Sequence, residues 1–303
     1  MPRTLNKLLI HSIPRLLREG LGVGFLLLLS LSAFTLHAQV VETSADSVRV
    51  EELLKKAPAD ASMMYFARQF VGIPYVGHTL ERSLDKEPLV INLRQLDCTT
   101  YVEVVAALWQ TNRDKRHASY ATYKKWLARY RYWSGKRNGY LSRHHYFSWW
   151  WHDNVKQGIL SEVNLSASGA TLTPLKVKIN YMTVHPDLYQ QLNAHREWLP
   201  RLKKMEQEYC GSDGLYLSKQ ELRRKGDKAF RGIIKDGDII ALVTKKGGLD
   251  YSHLGFASWH KDGSLHLLNA SSIHKKVIDD PKTLVQYLLG QPSNLGIRVF
   301  RVK

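Results

Sequence analysis

The 303-residue chain has few cysteines and few acidic residues. Its two cysteines, Cys98 and Cys210, are too few for a disulfide scaffold or a four-cysteine zinc site. Acidic residues number 27 against 44 lysines and arginines, and the resulting net charge of +17 favours an acidic partner such as nucleic acid, anionic lipid or an anionic polymer. Internal repeats and low-complexity tracts are also lacking. Hydrophobic residues make up 44% of the chain, which excludes wholesale disorder and leaves one decorated globular domain as the default.

The N-terminal residues have the layout of a secretory signal peptide. Four basic residues precede an apolar run from Leu21 to Leu36, which at 16 residues is short of the ~20 that a membrane-spanning helix needs. Ala38 is a small residue suited to a cleavage site, so residues 1–38 are predicted to be removed. An uncleaved membrane anchor is the alternative. No cysteine follows the run, so a lipoprotein anchor is not expected.

Export limits the partners that the basic charge suggests. Removing residues 1–38 leaves 40 basic and 26 acidic residues, a net charge of +14. Outside the cytoplasm the acidic polymers within reach are cell-wall components and lipid head groups, which argues against nucleic acid. We therefore expect a periplasmic or cell-envelope protein whose residues 39–303 form a single domain, monomeric and without a membrane span after cleavage.

The hydrophobic pattern predicts an α+β protein. Helices are expected in residues 40–60, 61–71 and 98–109, followed by a mostly helical insertion with long loops over about 112–230. From Asp238 onward, short β-type segments alternate with Gly, Asp and Pro signals, and Lys261-Asp262-Gly263 predicts a hairpin turn. A chain whose helices come first and whose antiparallel strands come last is typical of the α+β class.

Cys98 is the first candidate for chemistry. With Asp97 as N-cap, Cys98 occupies the first turn of a predicted buried helix, where unpaired backbone N–H groups and the helix dipole favour thiolate. On this evidence alone, a buried hydrophobic role is the more common alternative, and a disulfide to Cys210 is another.

His253 and Asn269 are candidates to assist this thiol. His253 lies on a predicted strand, and Asn269 lies on the strand after the hairpin turn. In a hairpin centred on Asp262-Gly263, residues whose numbers add to about 523 lie opposite one another, which places Asn269 near Leu254 and adjacent to His253. An amide oxygen there would fix the imidazole and leave its other nitrogen for the thiol. His266, three residues before Asn269, is expected on the opposite face of the strand.

These motifs together resemble the NlpC-like cell-wall peptidases, which are papain-like cysteine hydrolases. The resemblance rests on Gly72-Ile-Pro-Tyr75, Leu96-Asp-Cys98-Thr-Thr, Ser252-His253-Leu-Gly and Leu268-Asn269-Ala-Ser. It implies a papain-like fold with the cysteine at a helix N-terminus packed on an antiparallel sheet. Cys98 would be the nucleophile, His253 the general base and acid, Asn269 the orienting residue, and Tyr75 a hydroxyl beside the nucleophile.

A narrower resemblance covers most of residues 60–303. Segments 75–81, 143–147 with Trp150, 180–182 and 248–253 are similar to a bacterial branch of N-acetylmuramoyl-L-alanine amidases within that superfamily. The resemblance implies hydrolysis of the lactyl amide that joins N-acetylmuramic acid to L-alanine in peptidoglycan fragments, without a cofactor. The chain departs from the usual NlpC pattern at Asn269, where histidine is common, and its insertion is longer than a minimal NlpC domain carries.

Five residues are candidates for substrate binding. Arg143 beside Tyr146 would clamp a carboxylate and Trp150 would stack on a sugar ring, and the resemblance favours these roles for Arg143 and Trp150. For Trp149 and Trp151, packing of the insertion is an equally good explanation. Asp250 is either a loop cap or a substrate contact, and Ser252 adjoins the catalytic histidine. His144, His145 and His152 lack an acid or a cysteine at ligand spacing, so no metal site is expected.

Two other functions remain open at this point. An endopeptidase of the same chemistry would cut between D-glutamate and the diamino acid of the stem peptide. A wall-binding module that kept the fold without catalysis belongs to a different class, and alkylation of the thiol would leave its binding unchanged. A basic membrane-surface protein would need an exposed amphipathic basic helix, which the sequence does not show.

Overall fold

The computed structural model describes residues 40–175, 178–208 and 214–303. The predicted signal peptide and Cys210 therefore lie outside the described residues. In these three ranges, no helix is long and apolar enough to cross a membrane.

Helices and strands alternate along the first two thirds of the chain, and strands dominate the last third. The helices are α1 Ser44–Lys56, α2 Met63–Arg68, α3 Cys98–Arg113, α4 Tyr120–Arg131, α5 Phe147–Lys156, α6 Tyr181–Val184, α7 Gln190–Ala194, α8 Leu199–Glu208, α9 Lys219–Lys225 and α10 Leu284–Leu289. The strands are β1 Val40–Val41, β2 Leu89–Val90, β3 Leu160–Glu162, β4 Thr173–Pro174, β5 Leu215–Ser218, β6 Ile239–Thr244, β7 Tyr251–Trp259, β8 Leu265–Ser271, β9 Lys276–Thr283 and β10 Asn294–Val302.

The main sheet is antiparallel and runs in the order β4-β5-β10-β6-β7-β8-β9, with β3 also paired to β10. The strands predicted from Asp238 onward are confirmed as β6 to β10, with ends shifted by at most five residues. Strand β6 is buried at every position because both faces of the sheet are covered, so its sequence is a continuous apolar run. Gly263, at φ +87°, closes the β7–β8 hairpin where an L-residue would be strained.

Helix α3 packs on the centre of this sheet. Its side chains are buried almost all round, and Tyr101 is fully buried against Phe256 of β7, with the rings edge-on at 5.3 Å. The Tyr101 hydroxyl donates to the Ala67 carbonyl at 2.9 Å, which ties α2 to the same core. Aromatic burial of this size fixes the helix against β7 and β8, so the position of its first turn is well determined.

The segment predicted as a mostly helical insertion is integrated into the sheet. Strand β3 pairs with β10 from Glu162 to Leu160, and β5 pairs with β10 at Leu217 and Ser218. Helices predominate in 112–230, as predicted, but the short strands β3, β4 and β5 were not predicted. Strands of three or four residues carry too little alternation to be recognised from sequence, and the edges that they cover are visible only in the folded sheet.

The described residues thus combine helices with an antiparallel sheet. The assignment to the papain-like NlpC type stays a prediction.

Candidate active site

Asp97 fixes the start of the helix that carries Cys98. Its Oδ1 accepts from the Thr100 backbone N–H and from the Thr100 hydroxyl, both at 2.8 Å, while the Asp97 N–H donates to Thr100 Oγ1 at 2.9 Å. This reciprocal capping box satisfies two otherwise unpaired donors. Cys98 is consequently the first helical residue, and it is a free thiol.

The protonation state of Cys98 differs from the sequence-based expectation. Burial raises the pKa of the thiol to about 12, and the Asp97 carboxylate adds to this effect. The backbone N–H groups of Leu254 and Thr99 lower the pKa, but they do not offset the burial. Desolvation thus outweighs the first-turn donors in setting this pKa, which favours the protonated thiol. The thiol must lose its proton to a base during attack.

His253 is oriented to act as that base. Its Nε2 lies 2.8 Å from Asn269 Oδ1, and the Asn269 Nδ2 donates to the Leu267 carbonyl at 3.0 Å. The second contact fixes the amide so that its oxygen faces the ring, and the oxygen can only accept. Nε2 therefore carries a hydrogen and Nδ1 is left with a lone pair. The next residue on the strand, Leu254, presents its N–H to the Cys98 sulfur.

The observed register of the hairpin differs by one residue from the predicted sum of about 523, within the one-residue margin of that prediction. In the structure Ala257 pairs with Leu267 and Phe256 with Leu268, so paired numbers add to 524 rather than 523. Asn269 then lies across from Gly255 and diagonally from His253, on the same face of the sheet. The contact between His253 and Asn269 was thus predicted, through a pairing that differs by one residue from the observed one.

Gly255 makes this contact possible. A Cβ placed on Gly255 would lie 2.9 Å from the Asn269 Cβ and 2.8 Å from Leu267 Cδ1, closer than real Cβ atoms approach. The glycine of the Ser252-His253-Leu-Gly motif is therefore required because Asn269 crosses directly over its backbone.

Burial lowers the pKa of His253 below its ordinary value, while Asn269 and the carboxylates of Asp97 and Asp280 oppose this shift. The imidazole is consequently neutral at neutral pH, which is the form that accepts a proton. The ring of Tyr287 on α10 stacks nearly parallel to the imidazole, with centroids 6.3 Å apart and planes at 15°. Sequence reasoning missed Tyr287, because a six-residue helix after the last motif gives no signal.

Tyr75 lies beside the nucleophile, as the resemblance implied. Its backbone pairs with Leu96, two residues before Cys98, and its N–H donates to the Lys275 carbonyl at 2.9 Å. Burial raises the pKa of Tyr75 to about 12, with Cys98 and Asp97 contributing. The phenol therefore keeps its proton and is available as a hydrogen-bond donor.

Cys98 and Tyr75 border a cavity of about 270 Å³. The cavity is lined by polar and apolar groups from the loop before α3, from α3 itself and from the 112–230 segment, among them Glu81, Glu103, Arg143, Met182 and Tyr189. His253 and Asn269 are not on its wall. Of the four predicted catalytic residues, Cys98 and Tyr75 thus line the cavity.

Arg143 lines this cavity but does not present a free cation. Its Nη2 donates to Glu81 Oε1 at 2.7 Å, and its Nε lies 3.1 Å from Glu87 Oε1, in poor alignment for a hydrogen bond. The predicted carboxylate clamp is wrong, because two carboxylates of the protein already occupy the guanidinium. Burial lowers the pKa of Arg143, but Glu87 and Glu81 raise it by more, so the cation is retained.

Tyr146 and Trp150 do not reach the cavity. The Tyr146 hydroxyl donates to Glu206 at 2.6 Å and accepts from the Met182 N–H at 2.9 Å, inside an apolar cluster. Trp150 is 1% exposed and stacks between Tyr130 and Phe147. The predicted substrate contacts of both are wrong, because their rings pack the interior.

Asp250 and Ser252 also make structural contacts. Asp250 Oδ2 accepts from the Ser148 N–H at 2.8 Å, and its Oδ1 accepts from the Tyr251 N–H at 2.7 Å. Asp250 is buried and supplies a cap to the first turn of α5, so the loop-capping alternative is the correct one. The Ser252 hydroxyl donates to Asn294 Oδ1 at 2.8 Å, and the predicted substrate contact is not seen because Ser252 is not on the cavity wall.

His144 and His145 are held by backbone carbonyls. His144 Nδ1 lies 3.0 Å from the Tyr130 oxygen, and His145 Nε2 lies 2.8 Å from the Tyr140 oxygen. Over residues 40–175, 178–208 and 214–303, no three or more His, Cys, Asp or Glu side chains are grouped so that they would hold a metal ion.

Comparison with known proteins identifies relatives. A family model described as N-acetylmuramoyl-L-alanine amidase-like (AmiA-like) matches residues 65–297. A solved N-acetylmuramoyl-L-alanine amidase from Bacteroides uniformis is 37% identical, with a TM-score of 0.70, covering 83% of this chain and 99% of that chain. A protein from Bacteroides fragilis named as a xylanase is 38% identical, with a TM-score of 0.70, covering 78% and 99%. A Legionella pneumophila protein is 25% identical, with a TM-score of 0.66, covering 86% and 93%.

Among curated proteins, no match to this sequence was found. The family model nevertheless spans most of the chain, and the Bacteroides uniformis structure is covered almost completely at more than a third identity. The chain belongs to the AmiA-like family of N-acetylmuramoyl-L-alanine amidase-like proteins.

Proposed function

We propose that the protein is a cysteine-dependent amidase that hydrolyses the lactyl amide bond between N-acetylmuramic acid and L-alanine. Membership of an amidase family supports a hydrolase that acts on peptidoglycan. The observation that carries the cysteine mechanism is the orientation of His253 by Asn269, on the strand whose next residue, Leu254, presents its N–H to the free thiol at the start of α3. These three residues also support the proposal that the fold is papain-like and of the NlpC type.

The proposed acylation begins with proton transfer. Neutral His253 takes the Cys98 proton at Nδ1 as the sulfur attacks the amide carbonyl, since neither a high-pKa thiol nor a protonated imidazole would react alone. The resulting oxyanion is stabilised by N–H groups of the first turn of α3 and by the Tyr75 hydroxyl. Asn269 favours the imidazolium that forms, through its oxygen on Nε2.

The second half of the cycle returns the proton. His253 gives it to the leaving amine of L-alanine, the C–N bond breaks, and the acyl group remains on sulfur as a thioester. His253 then activates water, which attacks the thioester and releases the lactyl carboxylate and the free thiol. Water is the only co-reactant, and the residues that act are Cys98, His253, Asn269 and Tyr75.

Mass spectrometry of defined muropeptides incubated with the mature protein tests this function. The proposed amidase releases the muramoyl sugar and an intact peptide beginning with L-alanine. An endopeptidase of the same chemistry leaves a sugar that still bears a dipeptide. Unchanged muropeptides would contradict both activities and favour a wall-binding module.

Glycosidase activity is less well supported, although one relative is named as a xylanase. Glycoside hydrolysis generally uses two carboxyl groups that flank the scissile bond. Here Glu103 is paired with Arg131 at 2.7 Å and Glu81 with Arg143 at 2.7 Å, so both carboxyl groups already serve ion pairs within the protein. Release of reducing sugar from xylan would contradict the amidase proposal.

The proposed location is the periplasm or another part of the cell envelope. It rests on the N-terminal sequence pattern and on the family's link to peptidoglycan. N-terminal sequencing of the protein recovered from its native host would show whether the chain begins at residue 39.

A further inference from the structure

The short helix α6 borders more than one cavity. Met182 lines the catalytic cavity, whereas Thr183 lines a second cavity of about 510 Å³. A third cavity, of about 460 Å³, adjoins the second, and the two share Lys178 on their walls. The loop between β6 and β7 forms part of the third cavity and is tied to α6, because the Gly248 carbonyl accepts from the Tyr181 N–H at 3.1 Å. The second and third cavities therefore lie next to the catalytic cavity, with α6 between them.

The walls of the second and third cavities are strongly basic. They carry four ammonium groups, which define a lysine groove, namely those of Lys178, Lys203, Lys245 and Lys246. None of these four lysines forms an ion pair with an acid in the part of the chain that the structure describes. The groove has one carboxyl group, Glu206, which is buried and already accepts from the Tyr146 and Thr183 hydroxyls. The groove therefore has a positive potential that favours an anionic ligand.

The uncharged part of the groove fits a peptide chain. The side-chain amides of Asn180 and Gln207 line it, and neither amide has a hydrogen-bond partner among the described residues. Val184, which is 57% exposed, adds apolar surface, as do Leu249 and Leu295. Free amides and apolar surface beside ammonium groups match a short peptide that bears carboxylates. The stem peptides of peptidoglycan have this chemistry, since they combine amide bonds, alanine methyl groups and free carboxylates.

We propose that the lysine groove is a second, non-catalytic site that binds stem-peptide carboxylates of the intact wall polymer. The inference rests on the proposed function for the identity of the polymer. Because only α6 separates the groove from the catalytic cavity, a stem peptide bound in the groove would keep neighbouring parts of the same polymer close to Cys98. The local concentration of substrate would then rise without any change in the chemical step.

Co-sedimentation with purified peptidoglycan sacculi measures this binding, and a Cys98→Ala protein keeps the polymer intact. We expect Lys245→Gln combined with Lys246→Gln to weaken sacculus binding by about tenfold, because two of the four ammonium groups are lost. Sacculi whose carboxylates have been converted to amides with a carbodiimide and ammonia test the other side of the contact. We expect the parent protein to bind these sacculi about as weakly as the lysine variant binds untreated ones.

Lys55→Gln combined with Lys56→Gln is the matched control. It removes the same charge from two exposed residues at the end of α1 that line neither cavity, so sacculus binding should stay within about twofold of the parent. Thermal melting verifies that both variants fold. Equal losses in the two variants, or undiminished binding to amidated sacculi, would overturn the inference. Lysine-dependent binding to phosphatidylglycerol vesicles in place of sacculi would also overturn it, in favour of a membrane partner. Groove-dependent binding to sacculi without hydrolysis of muropeptides by the Cys98 protein would overturn the proposed function alone.

Discussion

Two differently built regions border the Cys98 sulfur. The sheet wall, formed by His253, Asn269 and Tyr287, is anchored by β7, β8 and the short helix α10. The cavity wall, formed by Glu81, Arg143, Met182 and Tyr189, comes from loops and short helices held by buried ion pairs. Main-chain pairing positions His253 and Asn269, whereas ion pairs position Glu81 and Arg143. Substitutions in the sheet wall should therefore affect the chemical step, and those in the cavity wall should affect binding.

The largest effect on activity is expected for Cys98, which both walls border. Cys98→Ala removes the nucleophile, so amide hydrolysis should fall by more than about a thousandfold. Product release from muropeptides, followed by mass spectrometry, measures the loss, and circular dichroism verifies that the fold is intact. The matched control is Cys210→Ala, which lies outside every motif and should keep full activity. Retained hydrolysis by folded Cys98→Ala would contradict the mechanism.

The sheet wall is tested most directly by Asn269→Ala. Turnover should fall by roughly ten- to a thousandfold, less than for Cys98, because both reacting groups remain. Asn269 stabilises the charged imidazole, so its removal lowers the pKa of His253 further and moves the acid limb of kcat/KM to lower pH. Asn269→His should keep much of the activity, since imidazole can take the same position.

His266→Ala is the matched control on the same strand. The His266 ring contacts Ser264 and the Asp280 carbonyl and stacks on His260 at 3.6 Å, away from His253. Its loss should leave turnover and the pH profile unchanged. An inactive His266→Ala together with an unaffected Asn269→Ala would show that the orienting residue is misassigned.

The two walls also differ in how far sequence could predict them. The hairpin turn placed Asn269 within one residue of His253 across the strand pair, and the observed register then puts both side chains on one face of the sheet. Asp97 likewise predicted the start of α3, because aspartate is a favoured N-cap residue. Local rules of this kind predict contacts within one hairpin or one helix terminus, but not contacts between segments that are distant in sequence.

The cavity wall could not be predicted in the same way. Trp150 and Tyr146 looked like ligands because aromatic residues cluster around them, yet helix α5 turns both toward the interior. Arg143 was correctly placed near the nucleophile by resemblance, but its partners Glu81 and Glu87 lie 62 and 56 residues away in sequence. Whether an arginine is free or neutralised depends on such distant contacts.

Gly255→Ala tests whether the sheet wall depends on close packing rather than on its polar groups alone. The added methyl would meet Asn269 Cβ at 2.9 Å, so Asn269 must move away from its position beside His253. We expect turnover to fall by about tenfold with substrate KM little changed, since misplaced orienting groups act on the chemical step. A parallel drop in Gly255→Ala and Asn269→Ala, with no additional loss in the double variant, would show that both act through one contact.

Tyr287 should make a smaller contribution to the same wall. Tyr287→Leu removes the ring that stacks on His253 and should lower turnover about two- to tenfold, the range expected for one aromatic contact. Tyr287→Phe keeps the ring and should lose less. Equal losses in the two variants would mean that the hydroxyl, rather than the ring, is the part that acts on the site.

Tyr146→Phe should have the smallest effect on activity. It tests where the substrate-binding surface ends. Its hydroxyl joins Glu206 to the Met182 N–H behind the wall, so its loss leaves buried polar groups unpaired and should lower the free energy of unfolding by about 1–3 kcal/mol. Because Tyr146 does not line the cavity, kcat and KM should stay within about twofold.

The matched control is Tyr65→Phe, whose exposed hydroxyl donates to the Lys56 carbonyl and whose loss should cost about 0.5 kcal/mol or less. A raised KM in Tyr146→Phe, with stability unchanged, would show that the substrate-binding surface extends behind Met182 and that the cavity wall is not the boundary of the site.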